Sequence, residues 1–353
     1  MKILNYLSPQ FGGIVDLQEE EKLEKSPQWK EGKFENQEET TMSINMKTLP
    51  GLLKKQFTNR AARAPKKNIS ILPFHEDEYN INIHQPKCVW YGHSAMLLQL
   101  NGKNILIDPM LGQDASPIGP INTKRYSKDS LDVIRQLPDI DILLQTHDHY
   151  DHLDLDSINL LKGKVKQYIV GLGIKRHLVT WGVEESLISE VDWWDKVNVH
   201  GMDITYTPSR HFSGRGLSDR AKSLWGGFAI KTQNHNIYWS GDGGYGPHFK
   251  EIGKKLGPFD WGFMENGQYN ENWHHIHMFP EESVQAALDA KVQKAFAVHW
   301  GGFTLALHTW KDPIERFVNE ARKKNLTVFS AQIGKIVEMG RNDEHYDWWT
   351  VLE

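Results

Sequence analysis

The feature that most constrains this chain is the run His147-Asp148-His149-Tyr150-Asp151-His152, which holds three imidazoles and two carboxylates. It follows the apolar segment 141–146, which predicts a buried strand that ends in a loop. Imidazole nitrogens and carboxylate oxygens are ligands for zinc, iron or manganese, and the near absence of cysteine argues against a closed structural zinc site. The run therefore predicts an open metal centre at a strand end, the alternative being a surface cluster of histidines.

Composition narrows the class of protein that can carry such a site. The 41 basic and 45 acidic side chains leave a net charge of −4, which gives no electrostatic reason to expect a nucleic-acid partner. Cys88 is the single cysteine, so an internal disulfide is excluded and a reducing, cytoplasmic setting is expected. No stretch approaches the roughly 18 apolar residues that cross a bilayer. We expect a globular, cytoplasmic protein whose contact with a membrane, if any, is peripheral.

The chain divides into a polar N-terminal extension, predicted over residues 1–70 as partly irregular, and a main domain over 71–353. In the main domain, Asn101-Gly102 is a hairpin signal between apolar runs. Further strands are predicted at 140–146, 167–170, 203–208, 226–232, 236–240, 260–264 and 295–299. Helices are predicted at 128–136, 247–256, 280–290 and 312–324. This mixture favours one layered α+β domain with sheets inside and helices outside.

The extension ends in a basic segment with two interpretations. Six basic side chains lie between Lys54 and Lys67, next to a few apolar residues. In the first interpretation the arm packs along the main domain with a solvated basic face. In the second, apolar side chains enter a lipid surface while Lys and Arg contact anionic head groups. The apolar side chains in question are Leu49, Leu52, Leu53 and Phe57.

Further motifs lie before and after the histidine run, in a characteristic order. Asp108 precedes it, and Ser240-Gly-Asp242-Gly and Val298-His299-Trp300-Gly301 follow. In this order the chain resembles the metallo-β-lactamase superfamily of metal-dependent hydrolases. More narrowly, residues 89 to about 320 are similar to the branch of N-acyl-phosphatidylethanolamine-hydrolysing phospholipase D. The motifs that carry this similarity include Gly92-His93-Ser94-Ala95, Pro208-Ser-Arg-His211, Gly257-Pro-Phe-Asp260 and Pro280-Glu-Glu282. The resemblance implies a four-layer αββα sandwich with an N-terminal extension.

The resemblance also implies two divalent metal ions and seven ligands. One ion would be held by His147, His149 and His211, the other by Asp151, His152 and His299, with Asp242 as the bridge. Zinc is the expected ion, with manganese or iron as alternatives. Two such cations roughly 3.5–4 Å apart can share a water and lower its pKa towards neutrality. A bridging hydroxide would then be the nucleophile, so that no serine or cysteine nucleophile is required.

Further positions are candidates for catalysis, support or substrate binding. Asp151, Asp242 and His277 are the expected catalytic residues, and His277 matches a branch position that faces the substrate. Arg215 is a candidate for a cationic lid over phosphate, with a solvated loop as the alternative. Trp273 is a candidate for substrate contact. His93 and Asp108 are expected to support the site by orienting metal-binding rings.

Glu265 makes the substrate class ambiguous. The chain reads Met264-Glu-Asn-Gly-Gln-Tyr269 where the phospholipase has an apolar segment. A carboxylate near the cations would repel a phosphodiester unless it is paired or turned away. The leading hypothesis is a metal-dependent hydrolase of a small-molecule or lipid phosphodiester, similar to phospholipase D. The alternatives are a lactonase or sugar-phosphate hydrolase with a small hydrophilic substrate, and a membrane-surface binding module with structural metals.

Overall fold

Two mixed β-sheets of seven strands each form the centre of the molecule. The computed structural model describes residues 9–42, 51, 63–116, 123–216 and 218–352. The strands are β1 Trp29–Lys30, β2 Lys33–Phe34, β3 Lys87–Trp90, β4 Met96–Leu100, β5 Lys103–Ile107, β6 Ile142–Gln145, β7 Tyr168–Gly171, β8 Ile188–Val191, β9 Lys196–Val199, β10 Met202–Pro208, β11 Gly226–Lys231, β12 Asn236–Trp239, β13 Phe259–Glu265, β14 Val292–Val298, β15 Thr327–Val328 and β16 Ile336–Glu338. The helices are α1 Leu17–Leu23, α2 Glu76–Asn80, α3 Val133–Gln136, α4 Leu155–Leu161, α5 Lys175–Thr180, α6 His248–Lys255, α7 Pro280–Asp289 and α8 Asp312–Lys324.

Each sheet is half antiparallel and half parallel. The first has the order β16-β3-β4-β5-β6-β7-β8, and β5 to β8 run parallel. The second has the order β15-β14-β13-β12-β11-β10-β9, and β12 to β15 run parallel. The hairpin predicted at Asn101-Gly102 is confirmed: it joins β4 to β5 with both residues at positive φ (54° and 71°), as a two-residue turn of this type requires.

The alternation of side chains along the strands explains the layers. In β4, Met96 and Leu98 face the core between the sheets, whereas Leu97 faces the opposite side, where it packs in a cluster with Ile158 of α4 and Leu178 of α5. Helices α6, α7 and α8 cover the second sheet. In α8, for example, the buried side chains recur at helical spacing, and the helix ends at Asn325 with a left-handed φ of 56°. The predicted αββα sandwich is confirmed.

Most predicted elements are confirmed with small shifts of their bounds. The helix at 312–324 has the predicted bounds, whereas the predicted helix at 128–136 is a 3-10 turn, Ser130–Asp132, followed by the single-turn α3. Helices α4 and α5 and strands β8 and β9 were not predicted, because their segments are short and lack a clear period.

Residues 9–42 of the N-terminal extension lie against the sandwich. Leu23, Trp29 and Phe34 belong to the main hydrophobic core. The lipid-facing hypothesis concerns Leu49, Leu52, Leu53 and Phe57, which lie outside the described residues, and the boundary at residue 70 stays a prediction. Within the described ranges, no helix is long and apolar enough to cross a membrane.

Candidate metal centre

The sheet topology brings the predicted ligands to one edge of the sandwich. Parallel strands of a sheet present their carboxyl ends at the same edge, and two antiparallel steps make β10 run in the same direction as β12. Each predicted ligand follows one of these strand ends. The pairs are β6 with 147–152, β10 with His211, β12 with Asp242 and β14 with His299.

A first group consists of three imidazoles, His147, His149 and His211. Both His147 Nε2 and His211 Nε2 lie 3.1 Å from His149 Nδ1. His147 and His211 are each 1% exposed. Three ring nitrogens thus point at one another in a buried position, which is the arrangement that a shared cation requires.

A second group consists of Asp151, His152 and His299. His299 Nε2 lies 3.4 Å from Asp151 Oδ2 and 2.9 Å from Asp242 Oδ2, and His152 Nε2 lies 3.1 Å from Asp242 Oδ2. Asp242 is close enough to residues of both groups to share a cation with either. His93, expected as a supporting residue, also joins this group, with Nε2 2.9 Å from Asp151 Oδ2.

The other ring nitrogens of these histidines test whether the site fits cations. His152 Nδ1 lies 2.9 Å from Asp108 Oδ2, and His211 Nδ1 lies 2.9 Å from the Ile276 carbonyl. His147 Nδ1 lies 3.0 Å from Thr146 Oγ1, whose hydroxyl donates to Asp108, so that oxygen is an acceptor. When Nδ1 carries the proton, the lone pair of Nε2 faces the centre. Converging lone pairs repel unless a cation lies between them, so the donor set fits divalent metal ions.

His149 is oriented the other way round. Its Nδ1 faces the centre, and its buried Nε2 has no hydrogen-bond partner among the described residues. His299 presents Nε2 to the centre, and its Nδ1 lies 3.4 Å from Glu265 Oε1. Asp108 and Glu265 thus stand behind two of the imidazoles as carboxylates, as the sequence predicted for Asp108.

The two groups differ in protonation when no metal is bound. Burial and the neighbouring histidines hold the pKa of His147 and His211 well below the usual range, and burial lowers the pKa of His149 to about 4. Burial also disfavours the charged form of His152, but Asp242 and Asp151 outweigh it and raise its pKa to about 10. The first group is therefore neutral at pH 7, whereas a cation entering the second group displaces a proton.

Left-handed backbone conformations occur at three residues of the site. The φ angles are 55° at His93, 42° at Asp108 and 68° at His299. Such conformations cost of order 1–3 kcal/mol each in a residue other than glycine, and they persist where surrounding structure fixes them. A backbone hydrogen bond joins two of these residues, because the His299 amide donates to the His93 carbonyl at 2.9 Å.

Arg215 does not lie where the sequence interpretation placed it. The sequence leaves a cationic lid and a solvated loop as alternatives, but the side chain is 4% exposed and lies beneath the histidine run. Its guanidinium donates to the carbonyls of Gln10, Asp148 and Leu153 at 2.6–3.0 Å. Those carbonyls need a buried donor, so Arg215 fixes the loop that carries the ligands and cannot reach a substrate.

Glu265, whose orientation the sequence leaves open, lies in the interior and is paired. It is fully buried, with Oε1 3.0 Å from His277 Nδ1 and with Oε2 accepting from the Met278 amide at 3.1 Å. Because the carboxylate is paired with His277 and His299, it does not present a free negative charge to a bound anion.

A cleft of about 270 Å³ opens above the two groups. His277 and Trp273, the candidates for substrate contact, both line it, and Trp273 Nε1 donates to the Gln268 carbonyl at 2.7 Å. The cleft is also lined by apolar side chains that the sequence interpretation missed, because they come from loops far apart in the chain. These are Met42, Phe212, Ile276 and Leu305.

Comparisons with known proteins agree with this architecture. A family described as "Beta-lactamase superfamily domain" matches residues 103–300. An uncharacterized protein of Mycobacterium tuberculosis is 34% identical over 331 residues, covering 92% of this chain and 88% of that protein. The N-acyl-phosphatidylethanolamine-hydrolyzing phospholipase D 1 of Caenorhabditis elegans is 31% identical over 269 residues, covering 70% of this chain and 74% of that protein. Among solved structures, Igni18, a metallo hydrolase from Ignicoccus hospitalis, has a TM-score of 0.56 at 19% identity and covers 72% of this chain and 97% of its own.

Proposed function

This chain belongs to the β-lactamase superfamily and is a metal-dependent hydrolase, and from that premise we propose that it cleaves phosphodiesters at a centre of two divalent cations. The observation that carries the proposal is the convergence of two ligand groups, with Asp242 between them, at the floor of one cleft. The relative from Caenorhabditis elegans, named as a phospholipase D, supports the choice of phosphodiester.

We assign one cation to each of the two ligand groups. His147, His149 and His211 would hold one ion, and Asp151, His152 and His299 the other, with Asp242 shared and zinc as the expected metal. When bound, the cations would supply Lewis acidity, which lowers the pKa of water and draws electrons from a phosphoryl oxygen.

The protein's own contribution at the cleft comes from His277. Its Nδ1 is hydrogen-bonded to Glu265, which leaves Nε2 for the cleft that the ring lines. In the doubly protonated form of the ring, Nε2–H can donate to a nonbridging phosphate oxygen or give its proton to the departing alkoxide. Glu265 orients the ring through this bond, so it assists phosphate binding instead of opposing it.

The rim of the cleft indicates the kind of ester group. Met42, Phe212 and Ile276 line both the cleft and a neighbouring groove of about 480 Å³, so they form the rim between the two. An apolar rim at this position favours a phosphodiester with an alkyl or acyl substituent over a small hydrophilic lactone, because the rim loses contact with water when such a substituent binds.

Activity assays on matched substrates test the proposal. We expect the zinc-loaded protein to hydrolyse bis(p-nitrophenyl) phosphate and N-acyl-phosphatidylethanolamine vesicles faster than small lactones or sugar phosphates. His149→Ala and Asp242→Ala should reduce phosphodiesterase activity by about 10³-fold or more, since each removes a ligand. The control His235→Ala changes a histidine packed against Trp261, away from the site, and should leave the rate unchanged. Hydrolysis of lactones alone would contradict the proposal.

A further inference from the structure

We propose that Asn36 of the N-terminal extension is a positioning residue for His211 of the metal centre. This inference rests on the proposed function, because it assumes that His211 binds a cation. It assigns a role to a segment that lies outside the residues 103–300 matched by the superfamily domain.

The side chain of Asn36 pairs with both backbone groups of His211. Asn36 Nδ2 donates to the His211 carbonyl at 2.7 Å, and Asn36 Oδ1 accepts from the His211 amide at 3.1 Å. Oδ1 also accepts from Trp225 Nε1 at 2.9 Å. Two donors and one acceptor surround the amide, so its orientation is determined by its partners.

His211 depends on this contact because it lies in a loop. It follows the end of β10 at Pro208 and belongs to no helix or strand. Its ring is fixed at Nδ1 by the Ile276 carbonyl. Its backbone amide and carbonyl are both held by the Asn36 side chain. The ring position is therefore set from two sides, one of which is the N-terminal extension.

The segment that carries Asn36 is itself well anchored. Phe34 is 2% exposed, packs edge-to-face on Trp29 at 4.9 Å, and donates its amide to the Ala221 carbonyl at 2.8 Å. Further along the segment, Thr40 Oγ1 accepts from Arg210 Nε at 3.1 Å, directly beside His211. The segment then reaches Met42, which lines the cleft.

Loss of the Asn36 side chain would leave the amide of a buried residue unpaired and free the backbone of His211 to move. Partners that orient a metal ligand typically affect metal affinity by about 10–100-fold when they are mutated. A loss of positioning differs from general destabilisation of the fold. It should change the affinity and the ligand field of one of the two cations.

Cobalt(II) titration of the full chain tests this inference. The metal-free wild type should bind two cobalt ions with a visible absorption spectrum. Asn36→Ala should weaken one of the two by about 10–100-fold and alter the spectrum. Asn36→Asp keeps the acceptor and the shape but loses the donor, so it should show a smaller change in the same direction. It also serves as the test if Asn36→Ala does not fold.

Two controls separate positioning from stability. Gln37→Ala changes an exposed neighbour and should match the wild type. Phe317→Leu trims a side chain buried in α8, outside the extension and the cleft, so it should lower Tm without changing the cobalt spectrum. If both Asn36 variants keep the wild-type cobalt affinity and spectrum, the inference is overturned but the proposed function is not. A wild-type protein that takes up no cobalt would overturn the proposed function as well.

Discussion

Asp108→Asn tests most sharply whether the residues behind the ligands orient them. Asp108 is fully buried and receives four hydrogen bonds. Oδ1 accepts from Gln145 Nε2 at 3.0 Å and from the Thr146 amide at 2.8 Å, and Oδ2 accepts from Thr146 Oγ1 at 2.7 Å and from His152 Nδ1 at 2.9 Å. An amide keeps one of these oxygens and places an NH₂ at the other, where two donors already point.

The two orientations of the new amide in Asp108→Asn have different costs. With its NH₂ towards Gln145 Nε2 and the Thr146 amide, these two buried donors lose their acceptor and face another donor. Each unsatisfied donor costs about 1–3 kcal/mol of folding free energy. With its NH₂ towards His152 and the Thr146 hydroxyl, both partners can adapt, because the hydroxyl can rotate to accept and the ring can accept at Nδ1. The ring proton then moves to Nε2, the atom that faces Asp242. The second orientation is cheaper for folding, and it removes the lone pair that would bind a cation. We therefore expect a folded protein whose second cation binds about 10–100-fold more weakly.

The assay is competition with a zinc chelator, followed by metal analysis of the protein and a thermal melt. Asp141→Asn is the matched control, because that carboxylate pairs with Asn104 and Lys166 at the opposite end of β6. We expect the control to retain both ions. Two ions of wild-type affinity in Asp108→Asn would refute the reasoning.

Three further predictions concern other parts of the account. Glu265→Gln should lower kcat by about 10–100-fold, because an amide oxygen that keeps the place of Oε1 leaves an NH₂ facing the Met278 amide, and the reverse orientation turns that NH₂ towards His277 and His299. The control Glu281→Gln, whose carboxylate pairs with Arg316 on the outer helices, should retain wild-type kcat in the same assay. Arg215→Ala should destabilise folding by about 3 kcal/mol or more, since the buried carbonyls of Asp148 and Leu153 and the half-buried carbonyl of Gln10 lose their donor. KM should stay unchanged because the side chain does not reach substrate, and urea unfolding together with Michaelis kinetics checks both. Chelation should lower Tm reversibly, because ions whose Kd is about 1,000-fold below their supplied concentration stabilise the fold by about 4 kcal/mol per site, and a melt with and without added zinc measures it.

The parts of the fold and site that the sequence predicts are those with a local signal. The histidine run, Asp242 and His299 each follow an apolar strand, and parallel topology then brings strand ends together. The hairpin at Asn101-Gly102 and the helix at 312–324 likewise depend on residues within one element. For these, sequence order and spacing determine position.

The remaining features depend on contacts between distant segments. Glu265 and Arg215 are charged residues near the site, and only packing decides whether they face the cleft or the interior. The sequence favours exposure for both, because burial of a charge is costly unless partners are present, and those partners come from loops that cannot be identified in advance. Asn36 lies 175 residues before His211, so no pattern in the chain connects them.

Anomalous X-ray diffraction from crystals of the purified protein, measured at the absorption edge of the metal it contains, tests the central claim most directly. We predict two peaks, one among His147, His149 and His211 and one among Asp151, His152 and His299, with Asp242 between them. A single ion elsewhere in the molecule, or full phosphodiesterase activity in protein without either peak, would contradict the account.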